Sequence, residues 1–267
     1  MGMFAKINGL SPMKEALERI REEFLRQPLL PDEILRSEEM VHLPSPVQKY
    51  LKYTRAVGQI KPQNLKIEFA AEMFRKPGEP AMKATSKQYN FLGDYARIFL
   101  MKARKMCIPF LAKHIYSQRQ ATFVVMVAGL FKVVDIKGEE LTTAETVTLL
   151  NDLCLFAPGG LTDKRLSWKE TDALSCEVTL ENGRFRVTAR LFFNEKGELV
   201  NFISDDRSAL QDDRTIKKAR WSTPVGEYRE IAGRLVPTYG ETIWHYPEGD
   251  FTYGKFRLKD IQYNVSQ

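Results

Sequence analysis

The feature that most constrains this chain is a change of hydrophobic period at Leu65. There Leu65, Ile67, Phe69, Ala71 and Met73 alternate with Lys66, Glu68 and Glu72. A period of two puts successive side chains on opposite faces of a pleated ribbon, so a stretch of this kind must lie in a sheet with one face toward a core. The alternation recurs over Ala81 to Asn90, Tyr95 to Lys105, Leu111 to Ser117 and Ala121 to Ala128. The first of these is set off from the Leu65 strand by the turn-forming Lys76-Pro-Gly-Glu79.

Before Leu65 the spacing is helical. Met13, Leu17, Ile20 and Phe24 recur at three and four residues behind Ser11-Pro12, which predicts a capped helix. Pro31-Asp-Glu-Ile-Leu35 predicts a second. Ser45-Pro46-Val47-Gln48 predicts a third, with a serine cap, a first-turn proline and a capping-box glutamine, stopping at Gly58.

Helical spacing returns over Thr142 to Cys154. Thr142 and Glu145 form a capping-box pattern there, Val147, Leu150, Leu153 and Cys154 form an apolar stripe, and a short second helix is expected near Leu161. After Trp168 the period is two again. Cys176 to Glu181 and Arg184 to Phe193 flank Asn182-Gly183, a dipeptide suited to a hairpin turn with two positive φ values. Leu199 to Ser204, Glu241 to His245 and Phe251 to Tyr263 continue the series, and no internal repeat is evident.

The order predicts a mainly β chain with helices (α+β): a large curved antiparallel sheet or half-barrel, a helical N-terminal arm and a central helical insertion. The expected organisation is a helical segment over 1–60 packed on an antiparallel β domain over 61–267, with the insertion at 142–161. A curved sheet wrapped on helices has a concave apolar face, where a small molecule can bind.

Composition excludes more than it selects. Of 267 residues 43% are apolar, 40 basic residues are interspersed with 34 acidic ones, and the net charge is +6. The densest basic stretches, Lys102 to Lys105 and Arg214 to Arg220, are too short for a polycation tail, so no nucleic-acid partner is expected. Cys107, Cys154 and Cys176 lack metal or disulfide spacing, and His42, His114 and His245 are scattered, so neither a metal nor a cofactor is expected. No stretch is long and apolar enough for a signal peptide or a transmembrane helix, which places the expected location in the cytoplasm.

Leu43-Pro-Ser-Pro-Val-Gln-Lys-Tyr-Leu51, Asp205-Asp-Arg207, Trp221-Ser-Thr-Pro-Val225, Tyr228, Gly240-Glu-Thr-Ile-Trp244 and Gly249-Asp-Phe-Thr-Tyr253 resemble a bacterial family known as a domain of unknown function. The resemblance runs from Leu43 to the end and implies no activity, so no catalytic residue carries over. The element order is also similar to the lipoprotein-carrier half-barrel superfamily, exported proteins that hold acyl chains between a curved sheet and internal helices. This chain departs from them in showing no export signal.

Three functions are compatible with the residues. One is non-enzymatic binding of a hydrophobic or amphipathic small molecule in a cavity between the sheet and the Thr142 to Leu161 helices. Another is a hydrolase using Asp205, Arg207, Glu241 and His245. The last is an interaction module acting through the N-terminal helices. No catalytic motif is recognised, and a Gly-x-Ser-x-Gly element and a phosphate-binding glycine loop are both missing. Candidate ligand-binding residues are Asp205, Arg207, Trp221, Tyr228, Glu241, Trp244 and His245. Strand alternation separates Asp205 from Asp206 and predicts an ion pair from Asp205 to Arg207, and it puts Glu241 and His245 on one side of a strand.

Overall fold

In the computed structural model, which describes residues 12–105, 107–210 and 215–266, the alternating segments all become strands of one antiparallel sheet. The first six are β1 (Asn64–Met73), β2 (Met82–Phe91), β3 (Ala96–Lys105), β4 (Ile108–Ser117), β5 (Gln120–Val127) and β6 (Phe131–Lys137). A buried helix, given below as α3, separates them from β7 (Leu166–Asp172), β8 (Ser175–Asn182), β9 (Phe185–Phe193) and β10 (Leu199–Ser204). Then come β11 (Ser208–Leu210), β12 (Ile216–Lys218), β13 (Arg220–Ser222), β14 (Val225–Ile231), β15 (Arg234–Tyr246) and β16 (Gly249–Tyr263).

The strand order is β6-β5-β4-β3-β2-β1-β16-β15-β13-β10-β9-β8-β7, with β14 on β15 and with β11 and β12 forming a separate ribbon. β6 and β7 are the two free edges, so the sheet curves without closing into a barrel. The alternation singles out neither of them, nor the short β11, β12 and β13, nor β14. An edge strand is half solvated: Phe131 and Val133 of β6 are exposed, and β7 is mostly polar and open.

The helices occupy different faces. α1 (Pro12–Arg26) lies on the convex side, with Ala16 and Ile20 buried against Phe91, Ala96, Ile98 and Leu100. Its inward stripe runs through Met13, Ala16, Ile20 and Phe24. Leu17, expected in the stripe, is 52% exposed, and the Ser11 cap lies outside the described residues, as does Arg214. Buried Glu23 accepts from Ser117 Oγ (2.8 Å) and Gln27 Nε2 (2.6 Å), which ties the end of α1 to β4.

α2 (Ser45–Tyr53) lies inside, where Tyr50 donates to the Cys154 carbonyl (2.8 Å). Ser45 is already helical and gives no side-chain cap, while Gln48 Nε2 donates back to the Leu43 carbonyl. The helix ends at Tyr53, well before Gly58, because Thr54 caps it and Arg55 turns to positive φ. The helix expected at Pro31 to Leu35 is absent. That backbone is extended, Leu35 N–H pairing with the Gln59 carbonyl and Lys61 N–H with the Glu33 carbonyl, and a short 3-10 turn follows at Ser37–Met40.

α3 (Glu139–Phe156) links the edge strands β6 and β7 through the interior, followed by a single 3-10 turn at Pro158–Gly160. It starts at Gly138 with no side-chain cap. Thr142 Oγ1 instead donates to the Gly138 carbonyl and accepts from Ala121 N–H, and Glu145 turns inward. The helix is buried nearly all round, so it is a core helix rather than an amphipathic surface one. The β8–β9 hairpin pairs Asn182 with Phe185, so its loop is Gly183-Arg184. Of the expected Asn-Gly pair only Gly183 has positive φ.

Candidate functional site

The antiparallel register carries concave-facing side chains across the first half of the sheet in rows. One row runs Ile67, Gln88, Phe99, His114, Phe123, Ile136 from β1 to β6, and its neighbour runs Leu65, Asn90, Arg97, Tyr116. Facing them is one stripe of α3, Glu145, Thr148 and Asp152, which the helical repeat brings to one side. Between rows and helix lies a cavity of about 420 Å³, a size that suits a small organic ligand. Phe69, Phe99, Phe123, Leu155 and Phe156 give it apolar walls, and Trp221, Trp244, Tyr253 and Phe256 close the side formed by β13, β15 and β16.

The charges inside are held by one network. Asp152 Oδ2 accepts from Arg97 Nε (2.6 Å), Gln88 Nε2 (2.7 Å) and Asn90 Nδ2 (3.1 Å). Arg97 spends its other nitrogens on Glu145 Oε2 (3.3 Å) and Gln88 Oε1 (3.0 Å). The second Glu145 oxygen lies 3.2 Å from His114 Nδ1 and 3.7 Å from Arg207 Nη2. Burial pushes the Glu145 carboxyl up, but His114, Arg97 and Arg207 together outweigh it and bring it to about 2. The His114 ring stacks on Phe123 with centroids 3.9 Å apart.

Arg207 follows β10 and lies over the rings of Trp221 (4.2 Å) and Trp244 (5.5 Å), two residues paired across β13 and β15. Trp221 is buried and donates from Nε1 to Tyr253 Oη (3.1 Å), and Tyr253 stacks on Trp244. Just beyond Arg207 the β11–β12 ribbon adds Ser208, Leu210 and Ile216 to the lining.

Of the seven candidates read from the sequence, Arg207, Trp221, Glu241 and Trp244 border this cavity. The other three do not. Asp205 forms a two-point pair with Arg220 (2.8 and 3.0 Å) in place of the expected bond to Arg207, because Arg207 turns inward to Glu145. Tyr228 donates to the Leu199 carbonyl and packs edge-on against Tyr53, and burial raises its hydroxyl well above the usual tyrosine range. Glu241 is held by Tyr239 Oη (2.5 Å), and His245 is engaged elsewhere, so Asp205, Arg207, Glu241 and His245 do not converge in one cleft.

His245 takes part in an arrangement that resembles a catalytic triad. Its Nε2 is 2.8 Å from Ser222 Oγ and its Nδ1 is 2.6 Å from Asp250 Oδ1. Ser222 is only 2% exposed and lies outside the cavity lining, so a substrate carbonyl has no path to its oxygen. Asp250, the member that should be sheltered, has a side chain 65% exposed. The arrangement therefore holds β13, β15 and β16 together without meeting the geometry of acyl transfer.

Sequence reasoning passed over Gln88, Asn90, Arg97 and Asp152, and read Glu145 as a cap. A signal was present: polar residues stand at the inward alternation of β2 and β3, and Glu145 and Asp152 stand seven apart on one face of the helix that carries the Val147 to Cys154 apolar stripe. Among the described residues no cluster of His, Cys, Asp and Glu could hold a metal ion, and no helix is long and apolar enough to cross a membrane.

Similar solved structures include a LolA superfamily protein from Nitrosomonas europaea, at 9% identity over 85% of this chain and 96% of that one, TM-score 0.46. A DUF1329 family protein from Desulfovibrio piger matches at 12% identity over 85% of this chain and 95% of that one, TM-score 0.37. Neither likeness bears on what this chain binds. A search of the curated proteins finds no match. The model of DUF6544, a family of unknown function, matches residues 33–256, and the chain belongs to that family.

Proposed function

We propose that this protein binds a hydrophobic or amphipathic small molecule between the concave face of the sheet and α3, and that it acts by holding that molecule. The observation that carries the reading is the cavity of about 420 Å³, walled mainly by aromatic and aliphatic side chains, with polar groups gathered at α3 and a smaller set, Tyr239, Glu241 and Thr242, on β15. A pocket that is mainly apolar with a few convergent polar groups is the usual form of a small-molecule site. The hydrolase reading has no such support, since of its four residues only Arg207 and Glu241 border the cavity while Asp205 and His245 are engaged outside it, and the apolar stripe of α1 is engaged within the chain itself.

The test is calorimetric titration of the full-length protein with dodecanol, a neutral amphiphile, beside the Ala112→Phe variant. Ala112 lines the cavity from β4, so a phenyl ring there takes up the space a ligand would use. Saturable binding that weakens about tenfold or more in the variant, with the melting temperature little changed, is the expected result. Absence of binding to the wild type by dodecanol and by dodecanoate alike, or equal affinity in the variant, would exclude the cavity as the site.

A further inference from the structure

Arg97 and Arg207 enter the cavity as buried guanidiniums but differ in what they hold. All three nitrogens of Arg97 are bonded, to Asp152, Glu145 and Gln88. Arg207 is 9% exposed, and among the described residues its nearest carboxylate oxygen, on Glu145, is 3.7 Å from Nη2 and beyond hydrogen-bonding range. Its Nε and Nη1 are shielded from solvent and have no hydrogen-bond partner among the described residues. The indole rings of Trp221 and Trp244 favour the cation through their faces but supply no acceptor to its N–H groups.

A buried donor without an acceptor forfeits its hydration and gains nothing in return, so such groups are rare in a folded interior unless a ligand or an ordered water completes them. Water is one acceptor; a charged oxygen is a stronger one. Among the described residues the two cavity arginines differ in this: Arg97 is hydrogen-bonded to both Asp152 and Glu145, while Arg207 has no carboxylate oxygen within hydrogen-bonding range, which favours the charged oxygen. Next to this patch lie the apolar walls Phe99, Phe123 and Phe156.

We infer that the ligand is a single-tailed amphiphile with an anionic head, a carboxylate or a phosphate monoester, whose oxygens accept the unpartnered N–H groups of Arg207 while the tail lies along the phenylalanine walls. The inference rests on the cavity reading above and adds the chemistry of the head group. Arg207 selects the ligand; Arg97, each of whose nitrogens is already bonded within the protein, holds the floor of the site.

Calorimetric titration of the full-length protein with dodecanoate, dodecyl phosphate and dodecanol separates the two ideas, because the tails match and only the head changes. At least one anion is expected to bind about tenfold tighter than the alcohol, the difference between a charge-assisted and a neutral hydrogen bond. In Arg207→Gln the preference is expected to fall to within about twofold. If that variant does not fold, Arg207→Lys, which keeps the charge, is expected to retain part of the preference. Equal affinity of the wild type for all three, or a preference that survives Arg207→Gln, would overturn the head-group assignment and leave the cavity reading intact. Failure of all three to bind the wild type would overturn both.

Discussion

α3 meets two different environments on opposite sides of one helix. On one side Val147, Leu150, Leu153 and Cys154 are at most 2% exposed and pack with Val187, Leu191 and Phe202 of β9 and β10 in a dry core. On the other, Glu145, Thr148 and Asp152 face the cavity and its charges. The dry side can be built from shape alone. The polar side cannot: an isolated buried carboxylate would neutralise rather than stay charged, and Glu145 and Asp152 are tolerated only because Arg97, Gln88, Asn90 and His114 are already in position on the sheet. The apolar packing fixes where the acids stand, and that placement makes a charged pocket possible.

The comparison can be broken most directly at Arg97. Arg97→Leu leaves Asp152 with two amide donors and no cation, and a loss of about 4 kcal/mol is expected in urea unfolding, the usual cost of stranding a buried charge. A loss below about 1 kcal/mol would mean that the acids on α3 do not depend on the sheet.

Leu150→Ala probes the dry side. It should cost about 3 kcal/mol through lost burial and the cavity left behind, and it should leave amphiphile affinity unchanged, since Leu150 does not line the site. A large change in affinity at constant stability would show that the two sides are not separate.

The third test uses acid. With the Glu145 carboxyl held at about 2, below its ordinary 4.5, the charged form favours the fold. That contribution is fully present above pH 4.5 and is lost as pH falls toward 2. It amounts to roughly 3 kcal/mol and is expected as a steep decline in unfolding free energy over that interval, flattened in Glu145→Gln. The same slope in wild type and variant would place the acid sensitivity elsewhere.

Much of the sheet was legible because its inner strands alternate cleanly. β1, β2 and β9 bury every second residue along much of their length, and no arrangement but a half-buried sheet satisfies that pattern. The edge strands β6 and β7 were not, since a strand paired on one side and solvated on the other has no need of the pattern. Helix starts were read as caps at Ser45 and Thr142, yet Pro44 stands at the cap of α2 with Gln48 bonded back to Leu43, and α3 starts at Gly138 with Thr142 tied to Ala121 of β5. Arg207, Trp221 and Trp244 were visible as a cluster of polar-tipped and charged residues. The Arg97 network was not, because its members are far apart in the chain and each alone is an ordinary polar residue.

The sequence by itself determined the antiparallel sheet, the helix that divides it and the absence of a nucleophile motif, all of which follow from local period and residue type. Tertiary structure decided which face each helix covers and which of the tempting residues meet. Asp205 and Arg207, two apart in the chain, part to Arg220 and Glu145. Arg97 and Asp152, 55 apart, join. Periodicity assigns a side chain to a face; only the curvature of the sheet and the path of α3 through it decide what stands on the other side.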